Sequence, residues 1–248
     1  AAGEGLPAGT TAQAMLRFRV ADDAAPGVYA GEVVFTAADG ERRAATVEVE
    51  VLPFRLERPA PERYELIAHV GQYGEKPAYF ERMAKELKRR GFESMLIATH
   101  YGTGRMSFRP GPDGRLEIAS FDRLRFAVRA YRAAGMTGTL FVHLSDKLEV
   151  AVAKALGVSF PDALGEQTHL IPEMETSRFK AATVEALRLV ADRCRGIPFA
   201  VLGYDEPNVA ARVPRAKWEI ARIEEAGIAS ALYCSAPAWK NVPAKIAI

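Results

Sequence analysis

Cysteine is scarce: the 248 residues hold two, Cys194 and Cys234, one at a predicted helix end and one on a predicted strand. That excludes a disulfide framework and a cysteine-based metal cluster, and both read as small core residues. Long apolar runs are missing as well. No stretch approaches the roughly 20 residues of a membrane-crossing helix, so no membrane span is expected, and the first residues lack the charged-then-apolar pattern of an export signal. An excess of charge of one sign is missing too: Lys and Arg number 33, Asp and Glu 31, for a net charge of +2. No basic cluster exceeds helix-face groups such as Lys85, Lys88, Arg89 and Arg90, which argues against a nucleic-acid partner. Nor is there a glycine-rich phosphate loop, since Gly71-Gln-Tyr-Gly74 after the first α/β strand is no dinucleotide fingerprint. No cofactor is expected. What is present, 49% hydrophobic and 26% charged residues, is the composition of an ordinary globular chain with a sizeable core.

From Ala14 to Val51 the period is two. Leu16, Phe18 and Val20 alternate with arginines, Val28 to Phe35 follows Pro26-Gly27, and Ala45, Val47, Val49 and Val51 alternate with Thr46, Glu48 and Glu50 after the Asp39-Gly40 turn. This predicts three half-buried antiparallel strands. A free-standing sandwich has about seven, so residues 1–54 are expected to be the C-terminal part of a β-sandwich whose first half lies upstream. Residues 55–63, rich in proline, read as a semi-rigid linker.

From 64 to 248 strands and helices alternate. Strands are expected at Tyr64–Val70, Ser94–His100, Thr139–Leu144, Phe199–Leu202 and Ile228–Cys234, with the start of a sixth at Ala244–Ile248. Helices are expected from Pro77 to Gly91, from a Ser120 cap to Gly135, near Leu148–Leu156, through Phe179–Cys194 and from Pro214, with a hairpin inserted around Gly111-Pro-Asp-Gly114. The alternation implies right-handed crossovers and a parallel sheet. An open doubly wound sheet and a closed barrel both satisfy it. Roughly 185 residues follow the linker, against about 250 for eight strand-helix units, so a barrel here is the N-terminal portion of one.

The strand at Phe199–Leu202 runs into Tyr204-Asp205-Glu206-Pro207, two adjacent carboxylates where a proline ends the ladder. Neighbouring acids repel and lose hydration, which raises one pKa and suits a general acid; the plain alternative is a solvated turn. Polar residues recur at each predicted strand end: His69, then His100 and Tyr101, then His143, Tyr204, Tyr233, with Trp239 shortly after. On a barrel these converge on one rim, where hydroxyl donors and an aromatic plate suit a sugar. Three histidines with an open position would also suit zinc. Their spacing is nonlocal, with no HExxH, so hydrogen bonding is the preferred reading and no metal is expected.

Arg17 to Val33 and the run from Val47 through Val51-Leu-Pro-Phe54, followed by Asp205-Glu206-Pro207 at a fourth barrel strand, resemble glycoside hydrolase family 123. The resemblance implies an α/β fold in which a partial (β/α)8 TIM-type barrel follows part of an all-β sandwich. It implies an exo-acting N-acetylhexosaminidase of the β-N-acetylgalactosaminidase kind, in which the substrate's acetamido oxygen attacks its own anomeric carbon. Glu206 would then be acid and base, and Asp205 would orient the acetamido group. Strict alternation would point the two to opposite faces, whereas a local bulge could turn both inward. A glycan substrate and an extracytoplasmic setting (secreted, periplasmic or cell surface) are also implied. Two other readings stand beside it: a retaining glycosidase with two carboxylates, its nucleophile outside this chain, and a noncatalytic carbohydrate-binding or surface protein on a degenerate barrel.

Overall fold

The computed structural model describes residues 9–11, 13, 15–37, 39–55, 67–70, 76–98, 106–144, 147–160, 170–205, 212–233 and 246–247. The chain divides into two compact units, Ala1–Arg58 and Pro59–Ile248.

The first unit is built on one antiparallel hairpin, β1 (Gly27–Thr36) and β2 (Arg42–Val51), paired over all ten positions from Gly27↔Val51 to Thr36↔Arg42. Period-two alternation sorts its faces. Tyr29, Val33, Val47, Val49 and Val51 share one, and Glu32, Glu48 and Glu50 share the other. The expected third strand is not formed: Met15–Val20 carry no ladder, and Leu16, Phe18 and Val20 are exposed. Apolar alternation supplies the side-chain pattern of a strand, but the strand itself needs a partner's backbone. Phe18 and Val20 instead border an open groove of about 390 Å³ with Tyr29, Val33 and Val49. The expected half-burial is met along β2, where Val47, Val49 and Val51 are half-buried between exposed Thr46, Glu48 and Glu50, and not along β1, where Val28, Tyr29, Val34 and Phe35 are exposed.

The second unit is α/β. Six parallel strands lie in the order β10–β9–β8–β7–β4–β3, that is Ile246–Ala247, Ala229–Tyr233, Phe199–Asp205, Leu140–His143, Ser94–Ala98 and Ile67–Val70. Spatial order follows chain order, without the reversal that defines a doubly wound sheet. The helices that connect them are α1 (Pro77–Arg89), α2 (Asp122–Ala133), α3 (Lys147–Leu156), the short α4 (Pro172–Glu175), α5 (Ser177–Arg193) and α6 (Val213–Glu225).

Two apolar clusters separate the faces of the sheet. Met95, Ile97, Leu140, Val142 and Val201 pack with helix residues such as Phe80, Leu124, Leu187 and Ile223. Leu96, Phe141, Ala200, Leu202 and Ala231 make a second cluster containing no helix residue. Among the described residues the helices thus cover one face, and the other carries its own core.

Helix boundaries follow local chemistry. Pro77 opens α1 at a position whose N–H has no intrahelical partner, and Gly91, at φ 90°, ends it in a conformation disfavoured for residues with a Cβ. At α5 the Thr176 hydroxyl accepts from the Phe179 N–H at 3.2 Å. Ser120 is not the α2 cap: it closes β6 (Leu116–Ser120), and Phe121 stands at the N-cap with no side-chain cap bond. β6 pairs with β5 (Ser107–Pro110), and this hairpin packs on α3 and α5.

Candidate functional site

The site starts from β8. Its apolar run, Phe199 to Leu202, is followed by Gly203, Tyr204 and Asp205, which extend the strand beyond its expected end. The ladder to β9 is regular through Leu202↔Ala231 and resumes at Asp205↔Tyr233. Three steps on β8 therefore match two on β9, which is a β-bulge. Because side chains alternate with period two, one extra residue exchanges the faces of everything beyond it. Position 205 acquires the register of Tyr233, and so the parity of Ala231 and Leu202 on the helix-free face.

The same parity argument applies along the sheet. Position 69 of β3 is in register with Leu96, position 143 of β7 with Leu202, and position 233 lies two beyond Ala231. Positions 69, 143, 205 and 233 thus share the helix-free face at the carboxyl half of the strands. Tyr204 falls within the bulge. His143 is only 4% exposed, which makes it an enclosed ring rather than an open rim. Glu206, His100, Tyr101 and Trp239 lie outside the described residues.

Behind the strand ends stand buried charged groups that belong to no sequence motif. Arg123, 2% exposed in the first turn of α2, donates from Nη1 to the Ala98 carbonyl at 2.9 Å, where β4 ends. Arg215 of α6 is fully buried and lies 3.0 Å from Glu219 of the same helix and 3.5 Å from Glu149 of α3. Glu149 carried a signal, since it interrupts the apolar run Leu148–Ala153. Arg215 and Glu219, spaced i,i+4, look like any surface pair.

Among the described residues no group of three or more His, Cys, Asp and Glu side chains is placed to hold a metal ion. No helix among them is long and apolar enough to cross a membrane.

The chain matches no family model and no curated protein. Solved structures similar to it include that of the pneumococcal virulence factor StrH, from work on N-glycan recognition and hydrolysis, at 12% identity and a TM-score of 0.41, covering 68% of this chain and 52% of that one. A Paenibacillus cycloisomaltooligosaccharide glucanotransferase bound to cycloisomaltoheptaose is similar at 9% identity and TM-score 0.38, over 79% of this chain and 36% of that one. A morphinone reductase variant bound to tetrahydroNAD is similar at 14% identity and TM-score 0.29, over 75% and 60%. The chain spans about half the length of the first of these and about a third of the second. At these scores the likenesses decide neither fold nor activity.

Proposed function

We propose that this chain carries the acid pair of a carbohydrate-active hydrolase, on a parallel sheet that belongs to a (β/α)8 barrel. The observation that carries the reading is the bulge between Leu202 and Asp205. By the alternation of β8 alone position 205 would share the helix-covered face with Gly203; the bulge turns it to the helix-free face that positions 69, 143 and 233 share. Sequential strand order with helices on one face supports the barrel, and the carboxyl ends of barrel strands are where such folds keep their chemistry.

The reaction proposed is hydrolysis of a terminal N-acetylhexosamine, N-acetylgalactosamine first, by substrate assistance. The glycosidic oxygen takes a proton from Glu206 as the bond to the anomeric carbon breaks. The acetamido oxygen closes on that carbon from the opposite face, and Asp205 accepts the acetamido N–H, favouring the charge that develops there. Water then gives its proton to Glu206 and attacks the same carbon, reopening the ring and returning the starting anomeric configuration. No bond forms between sugar and protein, the known exception to paired-carboxylate retention. Tyr204, Tyr233, Trp239, His69, His100, Tyr101 and His143 are proposed to shape or support the sugar pocket.

The test is the full-length protein on aryl 2-acetamido-2-deoxy-galactosides and glucosides, beside Asp205→Asn and Glu206→Gln. Losses in kcat of about 100-fold or more in each variant are expected, with no turnover of the matching aryl galactoside that lacks the acetamido group. Wild-type protein that binds these sugars and cleaves none would overturn the reading.

A further inference from the structure

The buried charges behind β8 point to a device that the acid pair needs. Arg215 lies in the first turn of α6, the helix after β8, and Glu149 in the first turn of α3, the helix after β7. Their side chains are 0% and 2% exposed, and that of Glu219 is 4%. The Arg215 guanidinium stands 6.0 Å from the Phe160 ring centroid, which closes one side. On the sheet side the neighbour is Gly203, inside the bulge. A Cβ added there would lie 3.3 Å from Ile223 Cδ1 and 3.5 Å from Glu219 Oε2. Glu149, Glu219, Thr183, Trp218 and Gly203 border a cavity of about 10 Å³, space for roughly one water. Glu219 is therefore packed against the backbone segment that leaves register, and Arg215 joins it to Glu149.

Packing alone does not call for them. Desolvating three charged groups is costly, and apolar side chains of similar volume hold helices together as well or better. What an ion cluster adds is direction, because a guanidinium shared by carboxylates on two helices fixes their mutual rotation more tightly than interchangeable apolar contacts do.

We propose that Arg215, clamped between Glu149 and Glu219, is a positioning residue for the carboxyl end of β8. It fixes the first turns of α3 and α6 together, seats Glu219 against Gly203, and so holds the bulge that sets the register of Asp205. None of the three touches substrate in this scheme; they act through the backbone. That the held residues are catalytic rests on the hydrolase reading, whereas the mechanical claim does not.

The experiment compares wild type with Glu149→Leu/Arg215→Met/Glu219→Leu in the full-length protein. Hydrogen exchange is followed over residues 199–205 and 140–143, with melting temperature, kcat and KM on the aryl N-acetylhexosaminide. The expected result is an unchanged fold and melting temperature, exchange at 203–205 faster by about 10-fold or more with 140–143 unaffected, and kcat lower by about 10-fold or more at constant KM. Unchanged exchange at 203–205 overturns the proposal, whether or not the protein hydrolyses sugars, and so does faster exchange with kcat intact. Faster local exchange in a protein that cleaves none of the glycosides upholds the clamp and refutes the hydrolase. Should the triple variant fail to fold, Glu149→Gln, which keeps the side-chain volume and removes the charge that ties Arg215 to α3, decides by the same exchange measurement: faster exchange at 203–205 is expected and its absence overturns the clamp.

Discussion

Cys194 shows how burial sets chemistry at a single residue. It is 1% exposed, and burial pushes its thiol up to about 12, against a smaller opposite pull from Arg132. A thiolate is the reacting species, so alkylation of Cys194 at about pH 8 is expected to be slower than in denatured protein by about 100-fold or more, read by mass spectrometry of its peptide. Glu93 shifts the other way. The Lys88 ammonium at 2.5 Å, helped by the Thr137 hydroxyl at 2.9 Å, holds its carboxyl below the ordinary value of 4.5 despite partial burial. A depressed acid contributes stability above its unfolded pKa and loses it as pH falls through the folded one. Glu93→Gln is therefore expected to melt lower than wild type near neutral pH, and the two melting curves are expected to converge as pH falls below 4.5. Glu86 is held at about 2 by Arg89 and Arg90, but its side chain is 36% exposed and its partners more so, where water screens such pairs and they stabilise little. None of these shifts was legible in sequence, because each depends on which groups the fold encloses.

At the scale of elements, helix starts and stops were legible wherever the determinant is local. Pro77 and Gly91 bound α1 in sequence as in structure, because a proline's missing N–H and a glycine's left-handed φ need no distant partner. Thr176 is a cap of the same local kind. Thr176→Ala is expected to cost about 1 kcal/mol by chemical denaturation, since it removes the acceptor for the Phe179 N–H. Ser120 misled because a hairpin strand runs up to the helix and takes that serine into its own ladder, in register with Ser107. The alternation of Leu16, Phe18 and Val20 misled for a related reason. Period two describes side chains, and a strand is defined by the hydrogen bonds of its neighbour.

Across the whole chain the two units differ in how they are held. The second has a core on each face of its sheet, whereas the first rests on a two-stranded hairpin with large apolar side chains exposed along β1, before it and just after β2. A lone hairpin is marginally stable in water. Limited proteolysis of this chain is expected to cut within residues 15–55 well before it cuts within the strands and helices of the second unit, as followed by mass spectrometry. First cuts inside β7, β8 or α5 would contradict that ordering of stability.

Legible in the residues alone were the α/β alternation of the second unit, its apolar strands, the helix boundaries set by proline and glycine, and the two carboxylates after the fourth predicted strand, but not the order in which the strands pair. Each of these is a statement about residues a few positions apart, where backbone sterics and periodicity decide. Tertiary structure alone decided the rest. The Leu202–Asp205 bulge exists only relative to β9, so no pattern within β8 announces it. Burial of Arg215 with Glu149 joins residues from two helices, and a charged side chain on a helix carries no mark of whether its face meets water or another helix. Register and burial are properties of pairs distant along the chain; they fix which face position 205 occupies and what stands behind it.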